Sequence, residues 1–306
     1  MSKYIATAVA IIGAAGVISG CAFEQPSPGC QVQDSDVPWQ AVYTLKNPAD
    51  ASRSCGKLRG EALGVWKYVE DPLGTPKNRL VIRPEGTASR FGYTYEYLEK
   101  NADGTIKVDE DGNPVKKRKT IDRVDLEALE AERKGQALEV MRAANTGPAS
   151  LDMEPNSSGL CLAKDFERAA TVTASEARHH ETNALLAPAE SATYKYGDVY
   201  VYSAASAPGT QLTGTFTYSD GPGCEVEYEV NAIWPQVFCN PGAANPAENC
   251  GEGSGINPDF DVRCDDSLPD VKRDDDHDGF QDEDDDGNKL FWAGACVPTK
   301  RVPSFK

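Results

Sequence analysis

An α+β fold that is mainly antiparallel β, a sandwich or partly open barrel with one long or broken helix, is what this 306-residue sequence predicts. Short stretches in which apolar and polar residues alternate recur along the chain, which is the period of strands buried on one face. Turn signals rich in Gly, Asp and Asn stand between them. Only one segment, 120–145, carries helical spacing, and a loop-rich C-terminal segment with several cysteines follows the strands. The expected division is 1–20 as a signal segment, 21–38 as a tether, 39–240 as the β-rich body and 241–306 as a disulfide-tied C-terminal segment.

The first twenty residues, MSKYIATAVAIIGAAGVISG, carry one cation, Lys3, then an apolar run and no acid. That is the pattern of a secretory signal, too short and glycine-rich for a good membrane span. Residues 22–38 are polar and contain three prolines, which suits a tether. Strands are expected at 39–46, 61–69, 79–83 and 90–99. In the last of these Phe91, Tyr93, Tyr95 and Tyr97 share one face, read as a sheet face covered by core rather than a ligand platform.

Asn101-Ala102-Asp103-Gly104 and Asp109-Glu110-Asp111-Gly112 are turns in a ladder of hairpins. The run Lys116-Lys117-Arg118-Lys119 reads as an exposed edge strand kept from aggregation by charge. The helix 120–145 has Ile121, Val124, Ala128 and Ala131 on one stripe, Thr120 or Asp122 as its cap, and Gly135 as a point of division. A short helix is expected around Ser175 to Leu186. Strands resume at 193–204 and in a hairpin over 211–230, where Leu212, Phe216 and Tyr218 face Val226, Tyr228 and Val230 across a Ser-Asp-Gly-Pro-Gly turn.

Nine cysteines stand at 21, 30, 55, 161, 224, 239, 250, 264 and 296. Setting Cys21 aside leaves Cys30, Cys55, Cys161, Cys224, Cys239, Cys250, Cys264 and Cys296, an even set that predicts four bridges in an oxidising compartment. Proximity favours Cys30 with Cys55 and Cys224 with Cys239. The formal net charge is -17, so nucleic acid, which needs a cationic face, is not an expected partner. The sequence contains no G-x-S-x-G, P-loop, H-E-x-x-H or C-x-x-C motif. The three histidines, at 179, 180 and 277, form no ligand set, and although carboxylates abound nothing selects a catalytic pair. No reaction is named by these residues.

Ile18-Ser19-Gly20-Cys21 resembles the lipobox of bacterial lipoproteins. The resemblance implies cleavage before Cys21 and its modification with acyl chains such as palmitate, which anchor a protein without spanning the bilayer. Ala22 in the next position implies the outer membrane, on its periplasmic or cell-surface face.

Near the C-terminus, the fourteen residues DDDHDGFQDEDDDG (274–287) hold nine carboxylates. Calcium takes six to eight hard oxygens, delivered when carboxylates recur on alternate residues before a glycine. Asp274, Asp276 and Asp278 fall at positions 1, 3 and 5, Gly279 at 6, the Phe280 carbonyl at 7, Asp282 at 9 and Asp285 at 12. This spacing resembles a thrombospondin type 3 repeat more than an EF-hand, and implies a bound calcium ion. The functional expectation is therefore a surface-anchored envelope lipoprotein with a structural, adhesive or partner-binding role. A carbohydrate-binding or hydrolytic lipoprotein using the tyrosine-rich sheet is the alternative.

Overall fold

The computed structural model describes residues 29–34, 36–132, 134–135, 144–268, 271–272 and 291–306. Eight strands make the body: β1 (Trp39–Leu45), β2 (Gly60–Glu70), β3 (Lys77–Pro84), β4 (Ala149–Leu151), β5 (Leu160–Lys164), β6 (Glu190–Ala204), β7 (Ala207–Gly221) and β8 (Cys224–Ile233). Each pairs antiparallel with the next in chain order, and β8 returns to β1 over six residue pairs, Gln40 with Ile233 through Leu45 with Tyr228. The sheet thus closes on itself. The fold is an antiparallel up-and-down barrel, fully closed rather than a sandwich or partly open, and closure removes the free edges that an open sheet must protect.

Alternation along the strands fills the interior. Trp39, Ala41 and Tyr43 of β1, Leu63 and Val65 of β2, and Leu80 and Ile82 of β3 are buried in one cluster with Tyr194, Tyr196, Phe216 and Tyr228. Phe216 is the hub: its ring lies 4.8 Å from Tyr43, 5.5 Å from Tyr194, 5.4 Å from Tyr196 and 5.3 Å from Tyr228. An eight-stranded barrel is just wide enough for side chains to fill, and these rings fill it. The hairpin expected over 211–230 is β7 and β8, with all six named residues buried.

Two excursions leave the barrel. Between β3 and β4 come α1 (Glu85–Ala88), a two-stranded ribbon of Gly92–Leu98 with Lys116–Asp122, and α2 (Leu126–Glu132). Residues 120–122, expected in a helix, are therefore strand. Cross-strand partners Thr94 with Thr120 and Tyr93 with Ile121 hold them there, and the helix starts later, where Asp125 accepts from Ala128 N at 3.0 Å. Much of the remainder of the expected 120–145 helix lies outside the described residues. Lys116, Lys117, Arg118 and Lys119 are all exposed on this ribbon.

The second excursion, between β5 and β6, holds a strand Ala170–Ala174, which extends the sheet beside the first half of β6, and a hairpin of Ala177–Arg178 with Leu185–Ala187. A helix around Ser175 to Leu186 is corrected by that hairpin. Its polar turn, His179 to Ala184, closes through backbone bonds between His179 and Ala184 and from Asn183 to His179.

The C-terminal segment is stitched to the barrel. Phe238–Cys239, Gly294–Pro298 and Val262–Asp265 form a three-stranded sheet. Leu268, Ala295, Val297 and Phe238 cover Val42 on the outer face of β1, and Gln211 exchanges two hydrogen bonds with the Ser304 backbone, at 2.7 and 3.3 Å.

All eight candidate cysteines are bridged, but not as proximity suggested. The pairs are Cys30–Cys161, Cys55–Cys224, Cys239–Cys264 and Cys250–Cys296. The first two span 131 and 169 residues, because barrel closure brings distant strands together. The segment read as a tether joins the body at Gly29. Cys30 N donates to Met153 O and Gln33 N to Gly209 O, both at 2.9 Å, beside the Cys30–Cys161 bridge.

Candidate functional site

The polar feature that the apolar barrel does not explain is Glu61. Its backbone pairs with Ala41, which puts its side chain on the inward face with Leu63 and Val65. Tyr43 Oη donates to Glu61 Oε1 at 2.7 Å, and the backbone N–H of Gly86 in α1 donates to Oε2. Burial pushes the Glu61 carboxyl up to about 7, against the opposing hydrogen bonds from Tyr43 and Gly86 and the nearby Tyr194 hydroxyl, while Glu85 adds a like charge. Tyr43, Tyr194 and Tyr196 are raised in turn, by burial first and then by the Glu61 charge. The Tyr194 and Tyr196 hydroxyls are buried and complete no hydrogen bond of good geometry. α1 lies directly on this cluster, since a Cβ at Gly86 would overlap the Tyr194 hydroxyl.

Glu61 also borders a cavity of about 400 Å³ between the barrel wall and the C-terminal sheet. Gln40, Ala62 and Pro38 line it from the barrel side, Phe238 and Leu268 from the C-terminal side, and the exposed Glu85 stands at its rim. The sequence carried one signal for this site: an acid in the inward register of the strand EALGVWKYV.

The aromatic row divides between the barrel core and the ribbon. Phe91 packs on the barrel core. Tyr93, Tyr95 and Tyr97 are half-buried. Tyr95 lies 5.1 Å from the His179 ring and is hydrogen-bonded through its hydroxyl to His180 Nδ1, and Tyr97 meets His180 edge-on at 4.9 Å. The two histidines, stacked at 5.0 Å, cap the tyrosines. Among the described residues, the groups with metal-ligand spacing are Cys239 with Cys250 and Cys296, and Cys55 with Asp220 and Cys224. Their sulfurs are already in disulfides.

Arg123 was not foreseen either. It is buried, donates from Nε to Ser175 O at 2.7 Å and from Nη2 to Pro188 O at 2.5 Å, and pairs with Glu190 at 3.0 Å. Glu190 also pairs with Arg90 at 3.1 Å, and the two arginines hold its carboxyl below the usual range against the burial that raises it. This knot fastens both excursions to β6. The lipidation candidate Cys21 and the calcium candidates Asp274, Asp276, Asp278, Phe280, Asp282 and Asp285 lie outside the described residues.

The family model described as MlpA matches residues 37–235, which begins just before β1 and ends just after β8. A Myxococcus xanthus protein, provisionally named lipoprotein MlpA, is 33% identical over 312 aligned positions that take in 100% of both chains. The chain belongs to the MlpA family. The part that the MlpA model recognises is the closed barrel, while the likeness to the Myxococcus protein extends through the C-terminal segment as well. No solved structure matches the chain. No helix among the described residues is long and apolar enough to cross a membrane.

Proposed function

We propose that this MlpA-family protein is an outer-membrane lipoprotein, anchored through acyl chains on Cys21, whose barrel is a rigid body carrying a calcium-ordered C-terminal segment for a structural, adhesive or partner-binding role. The lipobox residues and the lipoprotein name of the Myxococcus relative support the anchor. The observation that carries the calcium reading is a pairing on either side of the acidic stretch: Val271 pairs with Trp292 and Lys272 with Phe291, antiparallel. The pairing holds the two ends of 273–290 together, which lowers the entropy that closing a ligand loop would otherwise require. Cys239–Cys264 and Cys250–Cys296 fix the sheet from which this ribbon emerges.

Two measurements test the proposal. Calorimetric melting of the lipid-free chain in millimolar calcium against chelator should show a higher Tm with calcium, and Asp278→Asn with Asp282→Asn should abolish the difference. An unchanged Tm would overturn the calcium reading. Cys21→Ser should move the protein from the membrane to the soluble fraction, and retention on the membrane would overturn the anchor.

A further inference from the structure

The antiparallel order of the strands gives the barrel two unlike ends. The connections β1 to β2, β3 to β4, β5 to β6 and β7 to β8 lie at one end, and both excursions leave from there. The connections β2 to β3, β4 to β5 and β6 to β7 lie at the other, where Cys30 N donates to Met153 O and Gln33 N to Gly209 O. This junction end carries an apolar rim. Leu73, at the tip of the β2–β3 hairpin, is 100% exposed, Met153 in the β4–β5 connection 49% and Val69 near the end of β2 42%. Backbone pairing makes them neighbours: Val69 pairs with Asn78 of β3, and Asn78 pairs with Leu151 of β4 and donates from Nδ2 to Asp152 O at 3.0 Å.

The hairpin holds Leu73 out in a fixed tip. Pro72 and Pro76, both exposed, restrict its backbone. Gly74 N donates to Asp71 O at 3.2 Å and Thr75 N to Asp71 Oδ2 at 3.0 Å, while Glu70 at the base is paired with Arg79 at 2.6 Å. Apolar side chains gathered on one rim gain by leaving water, and such gatherings mark contact surfaces. We infer that the rim of Val69, Leu73 and Met153 docks on the bilayer that holds the anchor, with Leu73 and Pro72 entering among the acyl chains. The inference rests on the anchor proposed at Cys21. Nine residues lead from Cys21 to Cys30, so the junction end is the one that the leash delivers to the lipid. A leash also makes the contact intramolecular, and at the millimolar effective concentration that short flexible linkers give, a rim of three side chains suffices.

The test couples the chain beginning at Cys21, through that thiol, to a maleimide lipid in phosphatidylcholine vesicles, the other eight cysteines being bridged. The coupling supplies the anchor chemically, so docking is read separately from natural lipidation, which Cys21→Ser tests. Leu73→Trp is compared with Pro222→Trp, at the exposed β7–β8 turn of the opposite end, each against the unsubstituted chain with its own four tryptophans. In vesicles with brominated acyl chains, Leu73→Trp is expected to lose intensity and to emit further to the blue, while Pro222→Trp keeps the emission it has without bromine. Adding Met153→Asp to Leu73→Trp should weaken the quenching, with the melting curve unchanged. Equal quenching at the two ends, no quenching of Leu73→Trp, as a rim that serves a protein partner would give, or quenching that Met153→Asp leaves intact would each overturn the inference.

Discussion

Tyr43 and Glu61, on adjacent strands, share a 2.7 Å hydrogen bond inside the barrel, at the end covered by α1. The groups that face this carboxyl are Tyr194, Tyr196, Glu85 and the Gly86 N–H. No cation pairs with it at salt-bridge distance among the described residues. The burial that lifts Glu61 to about 7 makes stability depend on pH with a definite sign. Below about 4.5, the ordinary value for the group, it is protonated in both states. Between there and 7 the unfolded chain releases the proton while the barrel keeps it, so stability falls as pH rises, and above 7 the loss is complete.

At 1.36 kcal/mol per pKa unit, and discounting for a side chain that is only half-buried, the fall is about 2 kcal/mol. Unfolding free energies from urea titration at pH 5 and pH 8 should differ by about that amount more in the wild type than in Glu61→Gln. The comparison isolates Glu61, since the variant retains every other titrating group. Parallel profiles in the two proteins would show that the carboxyl is solvated.

Arg123 is the only cation described that is buried and pairs with an acid while also donating to two backbone carbonyls. Replacing it by alanine strands those carbonyls and half of the Glu190 charge. The expected loss is about 3 kcal/mol, at the lower end for breaking a buried pair because Arg90 still holds Glu190. Equilibrium urea unfolding measures it, and a loss below about 1 kcal/mol would mean that the excursions are fastened elsewhere.

Gly209 (φ 70°) accepts from Gln33 N, and a Cβ there would overlap the backbone of Gln31. Gly223 has a similar φ of 85° with open space around it. Gly209→Ala should therefore destabilise by about 2 kcal/mol or more, combining backbone strain with displacement of residues 31–33, against about 1 kcal/mol for Gly223→Ala. Hydrogen exchange at Gln33 reports the displacement directly.

The Cys30–Cys161 bridge closes a span of 131 residues. In the chain-entropy treatment, removing both sulfurs with a double alanine variant should cost about 4–5 kcal/mol. A non-reducing digest should recover the Cys30 peptide joined to the Cys161 peptide. A Cys30–Cys55 product would restore the pairing that sequence proximity favours and contradict the barrel register.

Six of the eight barrel strands were legible because each writes its burial in a period of two; β4 and β5, three and five residues long, were too short to do so and were not foreseen. The hairpin of β7 and β8 was legible because its turn lies between its own strands. Closure was not. The β8–β1 seam joins residues almost two hundred positions apart, Gln40 with Ile233, and no local pattern reports such a partner. The disulfide pairing failed for the same reason, since Cys55 meets Cys224 through that geometry. At 120–122 and 177–187 local helical spacing was overruled by cross-strand partners. Glu61 was visible as an acid in an apolar register, but its meaning needed Tyr43 and Gly86 beside it, and both come from other parts of the chain.

The joining of the chain to the body at Gly29 has a mechanical meaning. From the anchor proposed at Cys21, nine residues lead to Cys30, and at most about 3.6 Å each they make a leash of about 30 Å. If the chain is anchored there, Cys30 can stand no further than about that distance from the lipid. Traction along a chain so anchored would reach β5 through the covalent Cys30–Cys161 bridge.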